Sequence, residues 1–330
     1  MKAHLLTKRI NRITISNNKD NITRTNAYKR FYHTHSEIKW TYLASFVSRN
    51  AGWSMSDLMT DSLVVMLTNE WRRRLFMTFE RINWLIFSDV YPQLLIYEWS
   101  KKTGEPCFDK LRYFHVSAWM IKQWWQFWYD NNQDRLLKAL IINEQHVIEK
   151  PVICAPFFKD ALFDRPVYEW QERLHFSIVI FPSSKGELYG TSVKNFTNVK
   201  ERVILGYKLA WILFESPERE AIRNYFEKQP FTANRSIDIP QLHHVKVNRF
   251  PFRLLCPEVL HHDEARKDWS LDKSFQPNLL LKMQKQSPEK YCLTSWYGQK
   301  QKQIHVASNL ISHVQEHLSN DKKRSFHDIF

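Results

Sequence analysis

The sequence predicts a mainly α-helical protein, a multi-helical globular bundle with an aromatic-rich core and little or no sheet. Three observations carry this. Apolar residues recur at helical spacing through most of the chain. Only 6 glycines occur in 330 residues, too few for a fold built on tight β-turns or for glycine-rich phosphate loops. Aromatic residues make up 15% and include 13 tryptophans, which argues for a packed interior rather than disorder.

Residues 1–22 are polar and basic without a clear period, and are expected to form an extended or partly disordered basic arm. Residues 23–330 read as one large α-helical domain, with 151–196 the stretch where it could subdivide. Thr34 and Glu37 have the spacing of a capping box. After them Trp40, Leu43, Ala44, Val47 and Ala51 share one helical face, Thr41, Ser45, Ser48 and Arg49 the other, and Gly52 is placed to end the helix. A short helix with a serine cap follows in "SMSDLMTDSLVVMLT". Two helices are expected from Asn69 to Gly104, with Pro92 early in the second. The most aromatic stretch, "DKLRYFHVSAWMIKQWWQFWYD", is expected to be a mostly buried helix. It gathers Phe114, Ile121, Trp124, Trp125 and Trp128 on one side and Lys122, Gln123 and Gln126, with Trp119, on the other. A helix then runs to Pro151. Between 170 and 181 a strand and a helix fit equally well. Asn198 to Glu201 opens one helix and Ser216-Pro217 the next, giving a hairpin. Short helices joined by irregular segments are expected over 229–302, and a final helix from about 303 to 319.

The net charge is +14, from 48 Lys and Arg against 34 Asp and Glu. Such an excess favours anionic partners. Cys107, Cys154, Cys256 and Cys292 form no C-x-x-C, which excludes zinc-ribbon and redox motifs and fits reduced thiols in a cytoplasmic protein. The N-terminus lacks a signal-peptide run. The longest purely apolar run, "LAWILF", is far short of the roughly 20 residues needed for a transmembrane segment. Oligomeric state is not legible.

His313-Val314-Gln315-Glu316-His317 spells H-x-x-E-H, a zinc-peptidase pattern. The 13 residues after His317 contain no glutamate to serve as third ligand. The apolar stripe of that helix, Ile304, Ala307, Ile311, Val314 and Leu318, leaves His305, His313 and Glu316 off its face, with His317 at the border. His33, His35 and Glu37 sit at a helix start and point in different directions. His261 to Glu264, and His243-His244, read as solvated faces. No metal site and no cofactor are therefore expected. Neither G-x-S-x-G, a P-loop nor a Rossmann glycine pattern occurs, and spacing selects no catalytic carboxylate pair.

The basic, aromatic stretch "RTNAYKRFYHTH" offers Arg24, Lys29 and Arg30 to phosphates, and Tyr28, Phe31 and Tyr32 to bases or to the core. Residues 1–40 hold nine Lys or Arg against two acidic residues. Two polar turns add candidates: Arg49, Asn50 and Trp53 in "SRNAGW", and Arg235 and Asp238 in "TANRSID".

"RTNAYKRFYHTHSEIKW", "SRNAGWSMSDL" and "QKQIHVASNLISHVQEHL" together resemble a domain-of-unknown-function family of proteins from spore-forming Gram-positive bacteria. The resemblance runs from about residue 20 to the end. It implies a bacterial, cytoplasmic protein and brings no catalytic or binding residues. The function expected from the residues is binding of an anionic partner, nucleic acid foremost. A hydrolase with a site assembled from separated residues, and a peripheral protein of an anionic membrane surface, remain open beside it.

Overall fold

Helices take up most of the structure, a computed structural model that describes residues 3–156, 178–192, 195–239, 250–262 and 265–327, with side chains between residues 4 and 314. The expected N-terminal arm is instead helix α1, Ala3–Asn17. Leu6 and Ile10, one turn apart, bury themselves, and Ile13 packs beside them. That short stripe docks on α5, and Asn18 Nδ2 ties the end of α1 to the Trp84 carbonyl at 3.1 Å.

Helix α2 (Asn21–Thr34) carries the capping box that the sequence reading placed at Thr34 and Glu37. Asp20 accepts from the Thr23 amide at 2.7 Å, and the Thr23 hydroxyl accepts from the Asp20 amide at 3.1 Å. Thr34 ends α2, and Glu37 accepts from the Tyr97 hydroxyl at 2.8 Å. Helix α3 (Lys39–Asp57) passes through Gly52 rather than ending there. A Cβ at Gly52 would stand 3.0 Å from the Phe231 ring and 3.2 Å from Ala233, so glycine admits that segment against the helix. The next helix, α4 (Asp61–Met66), follows Thr60 rather than a serine.

Where two helices were expected, α5 is a single helix, Asn69–Thr103, with Pro92 inside it. An interior proline costs about 3 kcal/mol. Here Leu85, Phe87, Val90, Leu94 and Ile96 are all buried within three turns of it, and that burial outweighs the cost. Gly104, at φ 74°, ends the helix. The aromatic stretch divides into a 3-10 turn, Phe108–Phe114, and α6, Ala118–Asp130. His115 takes a left-handed φ of 59° between them. Gln123, placed by the sequence reading on the polar side, is buried. Helix α7 (Gln133–Ile148) widens into a π-turn, Glu149–Ile153, that accommodates Pro151.

Of the ambiguous stretch 170–181, Ile178–Pro182 is strand β1, paired antiparallel with β2, Leu188–Ser192; the residues just before it lie outside the described ones. Asn198 caps α8 (Val199–Phe214) by accepting from the Lys200 amide at 2.9 Å. Helix α9 (Arg219–Lys228) begins two residues later than expected, because the Ser216 hydroxyl donates back to the Ile212 carbonyl instead of capping. Short pieces follow: α10 (Arg235–Asp238), α11 (Phe252–Leu255) and α12 (Pro277–Lys282). The final helix, α13 (Thr294–His327), is twice as long as predicted. Ile304, Ala307 and Ile311 are half-buried, and α13 packs on α4, whereas Val314 is 58% exposed, so the expected stripe stops short. His305 and His313 are exposed; the side chains of Glu316, His317 and Leu318, like His243 and His244, lie outside the described residues.

The main core lies where α3, α5, α7 and α8 meet, with α2 laid along α3 and α6 along α7. A second apolar cluster gathers Trp53, Met55, Ile180, Phe231 and Tyr297. Among the described residues, no helix is long and apolar enough to cross a membrane.

Candidate functional site

A cavity of about 150 Å³ opens inside the main core, walled by α2, α3, α5, α7, α8 and β1. Its walls are chiefly apolar. Trp40, Leu43, Ala44, Val47 and Ala51, the face that the sequence marked as buried, form one side; Phe79, Ile82 and Ile86 of α5 and Leu205 and Leu209 of α8 form others. Helix α8 approaches closely because position 206 is glycine: a Cβ there would lie 2.6 Å from the Ile141 side chain.

Among the described residues, one carboxyl group faces this cavity. Glu144 of α7 borders the cavity and is half-buried. Burial is the largest influence on it and pushes its pKa up to about 8, against two hydrogen bonds that act the other way. Those bonds come from Trp40 Nε1 to Oε2 at 3.0 Å and from Gln145 Nε2 to Oε1 at 3.0 Å. Tyr28 reaches the same cavity from α2, and its hydroxyl is held well above the ordinary tyrosine range by burial first and by the nearby Glu144 second. Arg202 also lines the cavity but is committed elsewhere. It is ion-paired with Glu149 and donates from Nε to Gln145 Oε1 at 3.0 Å and from Nη1 to the Phe196 carbonyl at 2.8 Å.

The residues singled out from sequence fall in separate places. Arg24 is fully buried, forms a bidentate pair with Glu80 and donates to Asn21 Oδ1 at 2.8 Å. His261, expected on a solvated face, turns its ring inward and meets Glu80 at 3.2 Å. Tyr28 packs edge-on against Trp40. Lys29 donates to the Phe226 carbonyl at 2.6 Å and lies over the Phe226 ring. Arg30 is exposed, bonded to Asn17 at 2.9 Å.

The two stretches expected as polar turns lie instead in α3 and α10, and they meet in one buried network. Trp53 Nε1 donates to Asp238 at 2.7 Å, while Arg235 pairs with Asp57 at 2.8 Å and lies over the Trp53 ring. Arg49 is 1% exposed, sandwiched by Phe226 and Phe231. Asn50 clamps β1, donating to the Ile180 carbonyl and accepting from its amide, both at 2.9 Å. Buried groups so placed hold segments together; Arg24, Arg49 and Arg235 do not reach a phosphate backbone. Among the described residues, no three His, Cys, Asp or Glu side chains are grouped to hold a metal ion.

A family model described as "Protein of unknown function (DUF2515)" matches residues 16–298. The chain belongs to the DUF2515 family. It is 43% identical over 306 residues to a protein of Bacillus subtilis (strain 168) named "Uncharacterized protein YppC", covering 91% of this chain and 93% of that one. No solved structure matches. The DUF2515 match contains every residue that walls the cavity, from Tyr28 to Leu209. Sequence reasoning missed Glu144. The signal available was the run Asn143-Glu144-Gln145-His146, four polar residues in succession between the apolar stretches Ala139–Ile142 and Val147-Ile148, since a helix face alone would not require all four.

Proposed function

We propose that this protein binds a small organic ligand in the cavity between α3, α5, α7 and α8. The observation that carries the reading is the combination of a chiefly apolar cavity with, among the described residues, a single carboxyl group of raised pKa facing it, the arrangement expected of a ligand site. An apolar cavity of this size holds a molecule of about one benzene ring. The four cysteines are free thiols, which supports a reducing, cytoplasmic setting. Calorimetric titration with benzyl alcohol tests the reading. Saturable binding is expected, and Ala51→Phe, which places a ring into the cavity, should abolish it while leaving the melting temperature within a few degrees. Equal binding to both proteins, or none to the native one, would overturn it.

A second reading, binding of nucleic acid or another polyanion through the basic N-terminal segment, keeps support from residues other than Arg24 and Lys29. Helix α1 has no acidic residue and exposes Lys8, Arg9 and Arg12, with Lys19 and Arg30 exposed beside them. Fluorescence anisotropy with a single-stranded oligonucleotide should then show affinity that falls steeply with salt, and charge reversal at Lys8, Arg9 and Arg12 should weaken it by about tenfold or more. Unchanged binding by that triple variant would remove this reading.

A further inference from the structure

Resting on the ligand-cavity reading, we infer that the ligand is a protonated amine carried on a compact apolar body, with its ammonium group paired to Glu144. Both carboxyl oxygens of Glu144 already accept hydrogen bonds, one from Trp40 and one from Gln145. Two N–H donors aimed at a carboxyl group suit its ionised form, which accepts only, but burial without a cation disfavours that form in the free protein. What the site lacks is positive charge. The one cation in the wall among the described residues, Arg202, is committed to Glu149, Gln145 and the Phe196 carbonyl. Among the described residues, Tyr28 of α2 and Arg202 of α8 are the other titratable groups facing the cavity, and α3, α5 and β1 present only neutral side chains to it.

An ammonium group would complete the set. It supplies the missing charge, donates to the free lone pairs of Glu144, and sits beside the Trp40 and Tyr28 rings, whose faces attract cations. The rest of the wall combines Leu43, Val47, Ile82, Ile86 and Leu209, which suit an apolar body, with the neutral side chains of Ser48, Asn50, Ser54 and Asn83. A carboxylate ligand would bring no positive charge to let Glu144 ionise.

Proton balance gives the inference a signature. The Glu144 carboxyl, protonated in the free protein near neutral pH, gives its proton to solvent as the ammonium group enters, so one proton leaves per amine bound. Affinity for the amine should therefore tighten by up to about tenfold per pH unit between about pH 6 and pH 8.

The test compares benzylamine, benzyl alcohol and benzoate on the full chain by calorimetry in buffers of different ionisation enthalpy. Benzylamine is expected to bind at least about tenfold more tightly than benzyl alcohol at pH 8, to release close to one proton at pH 7, and to lose its advantage in Glu144→Gln. Benzyl alcohol binding that Ala51→Phe blocks, with benzylamine no tighter and no proton released, would overturn the amine assignment and leave the cavity reading standing. Failure of all three probes would overturn both. Proton release is read on the native chain, so the outcome does not depend on a variant folding.

Discussion

Replacing Arg24 with methionine is expected to destabilise the protein by about 3–5 kcal/mol, because it leaves Glu80 as an uncompensated buried charge. Arg24 is 0% and Glu80 3% exposed. The guanidinium spans both carboxylate oxygens, and Asn21 and His261 complete the group. The pair joins α2 to α5, so its loss should loosen the seating of α2 against the core and, with it, the position of Tyr28. The double replacement, Arg24→Met with Glu80→Met, should recover most of the loss, since removing both charges removes the desolvation cost as well. Urea denaturation of the single and double variants measures this. A single variant as stable as the native chain would show that the pair holds nothing in place.

The second large effect concerns Glu144 and pH. Its pKa rises from an ordinary 4.5 to about 8 in the folded protein, so between those values the native state holds a proton that the unfolded chain releases. Stability from this source is fully present below about pH 4.5, falls as pH rises, and is lost once pH passes about 8. Glu144→Gln removes that slope while keeping an oxygen to accept from Trp40. The variant should match the native chain in acid and exceed it at about pH 8 by on the order of several kcal/mol. Chemical denaturation at a series of pH values reads the difference directly; parallel profiles for the two proteins would show that burial does not hold the carboxyl neutral.

Much of the helical architecture was legible because burial and the 3.6-residue period write the same pattern. The face Trp40, Leu43, Ala44, Val47 and Ala51 is a case in which the pattern located a wall of the site without revealing that a cavity lay behind it. Gly52 and Pro92 misled for a shared reason: each reads locally as a break, yet close packing by Phe231 at the first and burial around the second override the local preference. The basic candidates misled for another. Arg24, Arg49 and Arg235 look like surface cations in a one-dimensional pattern, and only the tertiary partners Glu80, Phe226, Phe231 and Asp57 show them to be internal. The cavity itself could not be read from spacing. Its walls come from six elements separated by up to 181 positions, from Tyr28 to Leu209, and no local motif encodes that convergence.

The central claim is that Glu144 is a carboxyl group held neutral in an apolar cavity until a cation joins it. Carbon-detected NMR titration of the chain labelled at its glutamate side chains tests this most directly. One resonance, absent in Glu144→Gln, should titrate near pH 8 in the free protein and move to well below neutral pH when benzylamine is bound. A Glu144 resonance that titrates in the ordinary glutamate range, near 4.5, and is indifferent to the amine would contradict the account.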